Sequence, residues 1–130
     1  MLNQQLLESR GVAGALLLDQ KMPFWFERFE KLWNKDQTKL TNHYVRMAGT
    51  HECTLAQLFG RYADGVKALG LTDEETLGLG FRCSVKELKE IKTFGGKSYE
   101  HGMPVEGYYE RLTLVWDREI EKRKKANGLA

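Results

Sequence analysis

The strongest constraint on the fold is a stripe of apolar side chains near the end of the 130-residue chain. The stripe has helical spacing and consists of Val105, Tyr108, Tyr109, Leu112, Val115, Trp116 and Ile120. This spacing places the side chains along one face of an α-helix, whereas a strand would alternate at every second position. Pro104 precedes the stripe, and proline suits the first turn of a helix because its missing N–H has no partner there. The sequence therefore predicts an amphipathic helix of about four turns behind Pro104.

Capping signals predict further helices in the middle of the chain. Thr54 precedes an apolar helical pattern that reaches Leu69, and Gly70 stands where a left-handed helix end is expected. In a capping box, a hydroxyl and a glutamate each satisfy a backbone N–H group at the start of a helix. Two pairs match this pattern: Thr72 with Glu75, and Ser84 with Glu87.

Three other segments have shorter helical patterns. Residues 2–10 are predicted to be helical, but Gly11 and Gly14 disfavour a continuation of that helix. A second helix is predicted behind Pro23, from the spacing of Trp25, Phe29, Leu32 and Trp33. A third is predicted by Leu40, Tyr44 and Met47, with its end at Gly49.

These patterns predict an all-α fold. No segment alternates between apolar and polar residues with hairpin turn residues at its end. A chain of this length supports one compact domain, for which we expect five to seven helices. The domain is predicted to span residues 1–121, with a polar, basic tail at residues 122–130 and a flexible loop at residues 95–102.

Composition excludes several classes of protein. Hydrophobic residues make up 42% of the chain, which argues against disorder, and the net charge of +2 is too small to imply polyanion binding by itself. The longest apolar stretch, residues 12–18, is much shorter than a membrane span, and we see no secretory signal. Two cysteines do not make a disulfide framework, so we expect a cytoplasmic protein.

A zinc site is one hypothesis for the cysteines and histidines. The four candidate ligands are His51, Cys53, Cys83 and His101. Structural zinc sites usually take closely spaced pairs of ligands, and here only the first two residues are close. The favoured interpretation is a buried cysteine pair with two exposed histidines, so no metal site is predicted.

No catalytic motif is evident in the sequence. Residues 95–98 resemble the end of a phosphate-binding loop, but Ile91 stands where that pattern requires a glycine. The chain has no G-x-S-x-G and no H-E-x-x-H sequence, and neither cysteine lies in a nucleophile signature. We therefore expect a protein that is not an enzyme and that binds no cofactor.

Basic residues suggest nucleic-acid binding as an alternative. One cluster lies on and beside a predicted helix: Arg82, Lys86, Lys89, Lys92 and Lys97. A second closes the chain: Arg118, Lys122, Arg123, Lys124 and Lys125. Such clusters can neutralise phosphate groups. Residues 72–92 also have the outline of a helix-turn-helix, although a turn at Gly80 leaves the core residues two positions late.

Aromatic residues are dense behind Pro23, with five in residues 24–33. On a helix they would occupy more than one face, and core packing absorbs only one of them. Core packing is one interpretation of these rings. The other is a partner-binding surface, since aromatic side chains dominate interface energetics. That surface would consist of Trp25, Phe26, Phe29 and Trp33 with Tyr109 and Trp116 of the C-terminal helix.

A resemblance to a known family rests on three segments. Residues 68–83 read Ala68-Leu69-Gly70-Leu71-Thr72-Asp73-Glu74-Glu75-Thr76-Leu77-Gly78-Leu79-Gly80-Phe81-Arg82-Cys83. Residues 103–109 place a proline before an aromatic-bearing helix, and residues 29–33 are rich in aromatics. Together they resemble phage replication proteins of the helicase-loader type. The resemblance implies a small helical adaptor that binds a replicative helicase and helps to place it on DNA. The residues that match the family would have structural roles, and the family supplies no catalytic residue.

The sequence thus predicts a non-enzymatic helical adaptor of a phage or mobile element. We expect it to bind a protein partner, for which a replicative helicase is the first candidate. A role in DNA replication follows from this first candidate. The alternatives are a helix-turn-helix-like DNA-binding regulator and a small inhibitor of a host or phage defence enzyme. A homodimer is a further alternative for the aromatic surface.

Overall fold

The computed structural model describes residues 4–34, 39–40, 43–47, 51–82, 99–100, 103–104 and 107–129. Within these ranges there are five α-helices: α1 (Gln4–Lys21), α2 (Thr54–Phe59), α3 (Tyr62–Ala68), α4 (Asp73–Gly78) and α5 (Gly107–Ala126). A 3-10 helix spans Trp25–Arg28. Two antiparallel ladders of two residues a side pair β1 (Trp33–Asn34) with β2 (Lys39–Leu40), and β3 (Tyr99–Glu100) with β4 (Met103–Pro104). The prediction of an all-α fold is confirmed.

The central feature is the packing of α1 against α5. Gly11 and Gly14 lie where the two helices cross. A Cβ atom on Gly11 would clash with the side chain of Val115, and one on Gly14 would lie 2.8 Å from the ring of Trp116. Because glycine has no Cβ, the helices can approach closely here, and this packing offsets the low helix propensity of glycine. Helix α1 therefore continues through both glycines to Lys21.

The turn after α4 closes the core at this crossing. The indole N–H of Trp116 donates to the carbonyl oxygen of Gly80 over 2.7 Å, and the Phe81 ring stacks on Trp116 with centres 5.4 Å apart. Gly80 has φ +70°, and a Cβ at this position would lie 2.7 Å from the backbone nitrogen of Gly11. The turn thus requires glycine both for its backbone angle and for its contact with α1.

The aromatic segment behind Pro23 differs from its prediction. It forms a single 3-10 turn, after which Phe29 is extended. Trp25, Phe26 and Phe29 are all buried, and Trp25 meets both Phe29 and Trp116 edge to face. The predicted α-helix was wrong because it would leave some of these rings on an outer face. A tight turn followed by extended chain directs all three rings into the core.

Two further predicted helices also differ. Residues 39–40 form a strand and residues 43–47 are not helical, so the helix predicted from Leu40 to Met47 was wrong. The helix predicted from Thr54 to Leu69 is broken at Gly60, whose φ of +91° does not fit a helix. Glycine adopts this backbone angle readily, so the break at residue 60 is a local effect of the glycine. The N-cap of α2 is Cys53 rather than Thr54, which the sequence suggested. The hydroxyl of Thr54 is instead buried and donates to the sulfur of Met47.

The remaining local predictions agree with the structure where it describes them. Gly70 has φ +67° at the end of α3, as predicted. The capping box at the start of α4 is confirmed, since Thr72 and Glu75 exchange hydrogen bonds of 3.0 and 3.2 Å. The second box, Ser84 with Glu87, and most of the predicted loop at 95–102 lie outside the described residues.

The helix predicted behind Pro104 is confirmed as α5. It continues to Ala126, beyond the predicted domain boundary at residue 121. Arg123 in this last part bonds to Asp19 of α1 over 2.8 Å and to Glu119 over 3.1 Å. The start of the predicted polar tail is therefore helical and fastened to α1.

Candidate functional site: a groove between residues 43–47 and α5

A buried carboxylate on α5 holds residues 43–47 in place. Asp117 accepts three hydrogen bonds from this segment: from the Nδ1 atom of His43 at 2.5 Å, from the backbone N–H of Tyr44 at 2.7 Å and from that of Val45 at 3.2 Å. An ionised carboxylate can only accept, so we assign the proton of this contact to Nδ1. The bonds satisfy two backbone N–H groups that have no ladder or helix partner.

A second polar residue of α5 extends this attachment by one turn. The hydroxyl of Thr113 accepts the backbone N–H of Met47 over 2.9 Å. Thr113 and Asp117 are four positions apart, so they lie on the same face of the helix. Gln57 of α2 supports the other side of the segment, because its amide donates to the carbonyl oxygen of Tyr44 over 2.8 Å. Residues 43–47 are therefore a fixed wall beside α5.

An open groove of about 600 Å³ lies between this wall and α5. Its lining residues are His43, Arg46, Met47, Tyr109, Glu110, Thr113 and Leu114. Leu114 of α5 is a large apolar side chain that is 57% exposed beside this groove. The charged side chains are of both signs: Arg46, which also pairs with Glu52 at 3.3 Å, and the exposed Glu110. The lining of the groove combines apolar side chains with charged ones of both signs.

Tyr44 closes the wall on the side towards the end of α5. The Nζ atoms of Lys31 and Lys124 lie 3.9 and 5.3 Å from the centre of its ring, and its hydroxyl donates to the carboxylate of Glu121. Burial and this hydrogen bond raise the pKa of Tyr44 to about 12. The same hydrogen bond, with the charge of nearby lysines, lowers the pKa of Glu121. Tyr44 is thus a neutral donor to an ionised carboxylate.

The aromatic residues predicted to bind a partner have separate locations. Trp25, Phe26, Phe29 and Trp116 are buried, with at most 5% of their surface exposed. A buried ring cannot contact a partner while the fold is intact, so we assign these four rings to the core. Tyr109 is half-buried and lines the groove. The side chain of Trp33 lies outside the described residues.

The first cluster of predicted nucleic-acid-binding residues is described only at Arg82. Its guanidinium donates to the hydroxyl of Thr76 over 3.1 Å and to the carbonyl oxygen of Asp73 over 3.2 Å. Arg82 therefore bonds to the first turn of α4. The other four residues lie outside the described ranges: Lys86, Lys89, Lys92 and Lys97.

The second basic cluster is largely paired with acidic side chains. Three of its five members form ion pairs: Arg118 with Glu8 and Glu119 at 3.4 and 3.7 Å, Arg123 with Asp19 and Glu119 at 2.8 and 3.1 Å, and Lys125 with Glu121 at 3.8 Å. These carboxylates reduce the positive potential that phosphate groups would meet. The cluster on α5 is therefore a poorer phosphate site than its sequence indicates.

The described ranges contain no group of three or more His, Cys, Asp or Glu side chains that could hold a metal ion. Cys53 is buried, and this burial raises the pKa of its thiol, while His51 is exposed. Cys83 and His101 lie outside the described residues.

The sequence predictions missed most of the groove. Of the described residues that line it, only Tyr109 was a candidate, whereas His43, Arg46 and Leu114 belong to no motif that the sequence analysis identified. One signal was present in the sequence: Thr113 and Asp117 follow the apolar positions of the α5 stripe, so two polar side chains border its buried face. A buried carboxylate needs partners, which indicates that another segment must lie against the helix there.

Within the described ranges, no helix is long and apolar enough to cross a membrane. No protein-family model, no curated protein and no solved structure matches this chain. The resemblance to phage helicase loaders accordingly stays a prediction.

Proposed function

We propose that this protein is a non-enzymatic adaptor that binds a segment of a partner protein in the groove between residues 43–47 and α5. The observation that carries the proposal is Leu114, a large apolar side chain of α5 that is 57% exposed and lines the groove opposite the wall of residues 43–47. Exposed apolar surface with charged edges is typical of protein interaction sites.

The wall of this groove is held in place without a partner. Asp117 and Thr113 bond to the backbone of residues 44, 45 and 47, and Gln57 holds the segment from the other side. A fixed wall lowers the conformational entropy that is lost on association. We therefore expect a partner to bind without rearrangement of residues 43–47.

The lining suggests the chemistry of the partner segment. An apolar side chain would pack against Leu114 and Met47, and charged side chains on either side of it would meet Arg46 and Glu110. Arg46 already pairs with Glu52, but a guanidinium has five N–H donors and can bind a second carboxylate. We expect an amphipathic segment with one large apolar anchor between an acidic and a basic residue.

The resemblance to helicase loaders makes a replicative helicase the first partner to test. A small inhibitor of an enzyme would use the same groove, so this alternative differs only in the partner. The DNA-binding alternative has less support, because the one described residue of its first cluster, Arg82, bonds to α4.

The test compares two substitutions of exposed leucines, Leu114→Arg in the groove and Leu16→Arg on α1. Leu16 is a matched control because it is 52% exposed, also lies on a helix and does not line the groove. The wild type and both variants are immobilised side by side, and the binding of purified replicative helicase to each is measured. Any protein that the wild type retains from a bacterial lysate is then purified and measured in the same way. Circular dichroism confirms that both variants fold.

We expect Leu114→Arg to weaken binding at least about tenfold, as for an anchor at the centre of an interface, and Leu16→Arg to leave it unchanged. A partner that binds Leu114→Arg as tightly as the wild type would contradict the proposed site. The absence of any protein that binds the wild type would contradict the adaptor function itself.

A further inference from the structure

Phe24 combines an exposed ring with a strained backbone. Its side chain is 59% exposed, the largest fraction among the exposed large apolar residues that the structure describes. Its backbone has φ +63° and ψ +23°, and it is the one described residue other than glycine with a positive φ. An aromatic residue rarely adopts this left-handed conformation, because its Cβ crowds the backbone.

The corner between α1 and the 3-10 helix explains how this conformation arises. The N–H of Trp25 bonds to the carbonyl oxygen of Met22 over 2.9 Å, which closes a tight turn around Pro23 and Phe24. The next ring, Trp25, is buried, whereas the Phe24 ring is exposed and meets the ring of Phe26 edge to face with centres 6.1 Å apart. Backbone strain of this kind concentrates at binding positions, and an exposed ring gains free energy when a partner covers it.

We infer that Phe24 of one molecule docks into the groove of a second copy. The inference rests on the proposed function, because it takes the groove to be a docking site for protein. It names the groove's occupant as the Phe24 corner, defined here as Lys21, Phe24, Glu27 and Arg28. The corner is an apolar anchor between charged residues of both signs, as the groove requires.

The charges of the two surfaces are complementary. Lys21 and Glu27 are exposed on the corner, and they are opposite in sign to Glu110 and Arg46 of the groove. Arg28 is exposed as well, although its guanidinium also donates to the carbonyl oxygen of Leu58 over 3.3 Å. Opposite charges around an apolar anchor favour one orientation of docking over others.

The corner and the groove are different surfaces of the molecule, since Phe24 does not line the groove. A contact between two different surfaces either is made reciprocally in a two-fold dimer or continues from molecule to molecule as a ring or an open chain. One ring and its flanking charges bury less than the roughly 1,200 Å² typical of stable interfaces, so we expect weak association. Self-association would then compete with the partner protein for the groove.

The experiment uses sedimentation equilibrium with two complementary variants. Phe24→Asn removes the ring and suits the left-handed backbone, since asparagine adopts this conformation more readily than other residues. Leu114→Arg blocks the groove but keeps the corner, and Leu16→Arg is the control. Wild type, variants and an equimolar mixture of Phe24→Asn with Leu114→Arg are measured from about 10 µM to about 1 mM, the range in which weak complexes form.

We expect the average mass of the wild type and of Leu16→Arg to rise with concentration, while each of the other variants alone stays monomeric. The mixture must form dimers and nothing larger, because it contains only one intact corner and one intact groove per pair. A wild type that is monomeric throughout overturns the inference, as does association of either single variant. A mixture that stays monomeric while the wild type associates overturns it too, because both residues would then belong to one shared interface.

The outcomes separate this inference from the proposed function. If the wild type is monomeric but Leu114→Arg still loses its partner protein, only self-association is excluded. If Leu114→Arg affects neither self-association nor partner binding, the groove is not a docking site and both proposals fail.

Discussion

The Nδ1 atom of His43 lies 2.5 Å from the Oδ2 atom of Asp117, in the middle of α5. The other oxygen of the same carboxylate accepts the backbone N–H groups of residues 44 and 45. One side chain thus fastens the segment that forms a wall of the groove. The shape of the proposed binding site therefore depends on a carboxylate that is not itself among its described lining residues.

Removal of the Asp117 carboxylate is expected to destabilise the protein strongly. Asp117→Ala leaves two buried backbone N–H groups without acceptors, and we expect it to lower the free energy of unfolding by about 3 kcal/mol. Asp117→Asn keeps one oxygen acceptor and is expected to lose less. Urea unfolding measures both variants. Arg118→Ala is the control, with an expected change of less than about 1 kcal/mol because its side chain is 54% exposed in its ion pairs with Glu8 and Glu119. Equal losses in Asp117→Ala and Arg118→Ala would contradict the role of Asp117.

Two glycine substitutions are expected to have opposite effects. In Gly14→Ala the new Cβ meets the carbonyl oxygen of Leu79 and, at 2.8 Å, the ring of Trp116, so we expect a loss of about 2 kcal/mol or more. Gly78 at the end of α4 has open space around it, and Gly78→Ala is expected to stabilise by about 0.5 kcal/mol. Thermal unfolding of both variants checks the close approach of α1 and α5. A stabilising Gly14→Ala would show that the two helices do not approach as described.

The ion pair between Asp19 and Arg123 predicts a dependence of stability on acidic pH. Burial alone would raise the pKa of Asp19, but hydrogen bonds from Arg123 and Trp25 and the charge of Arg123 outweigh it, so this pKa is lowered in the folded state. The ionised Asp19 carboxylate therefore stabilises the fold fully above its ordinary pKa of 3.8. This stabilisation is lost as the pH falls through the lower pKa that Asp19 has in the folded protein.

Asp19→Asn tests this dependence. We expect the variant to melt below the wild type near about pH 7, and the gap between their melting temperatures to narrow as the pH falls below 3.8. Asp64→Asn, which removes an exposed partner of Arg61, is expected to change the melting temperature little. A gap for Asp19→Asn that is constant across this range would contradict the lowered pKa.

Tyr44 predicts a second dependence, at alkaline pH. Burial and its hydrogen bond to Glu121 raise its pKa from 10.0 to about 12. The raised pKa stabilises the fold fully below pH 10, and this contribution is lost as the pH rises through about 12. We expect the ultraviolet titration of the tyrosines to contain a component near 12 that is missing in Tyr44→Phe.

The control for this tyrosine is Tyr62→Phe. The Tyr62 hydroxyl is buried and has no hydrogen-bond partner within the described part of the chain. Its removal is therefore expected to leave the melting temperature unchanged or to raise it, whereas Tyr44→Phe is expected to lower it. If the ultraviolet titration of Tyr44→Phe lacks a component near pH 10 and keeps the one near pH 12, the hydroxyl of Tyr44 in the wild type is not held by Glu121.

Elements defined by neighbouring residues could be predicted well. The apolar stripe behind Pro104 became α5, and the Thr72–Glu75 box became the start of α4, because both depend on side chains within a few positions of each other. The groove could not be predicted in the same way. Its wall depends on hydrogen bonds between Asp117 and a backbone group 73 positions earlier in the sequence, and a pattern of neighbouring residues cannot reveal a contact over that separation.

The sequence by itself determined the helical class of the fold, the position of its last helix and the cap of α4, since spacing and capping act within one or two turns. The tertiary structure alone decided where the aromatic rings behind Pro23 lie, why α1 continues through its glycines and which residues form the groove. Burial and hydrogen bonding between distant segments set these features. Trp25 leaves water only when Trp116 packs against it, and the carboxylate of Asp117 is satisfied only when residues 43–45 lie across α5.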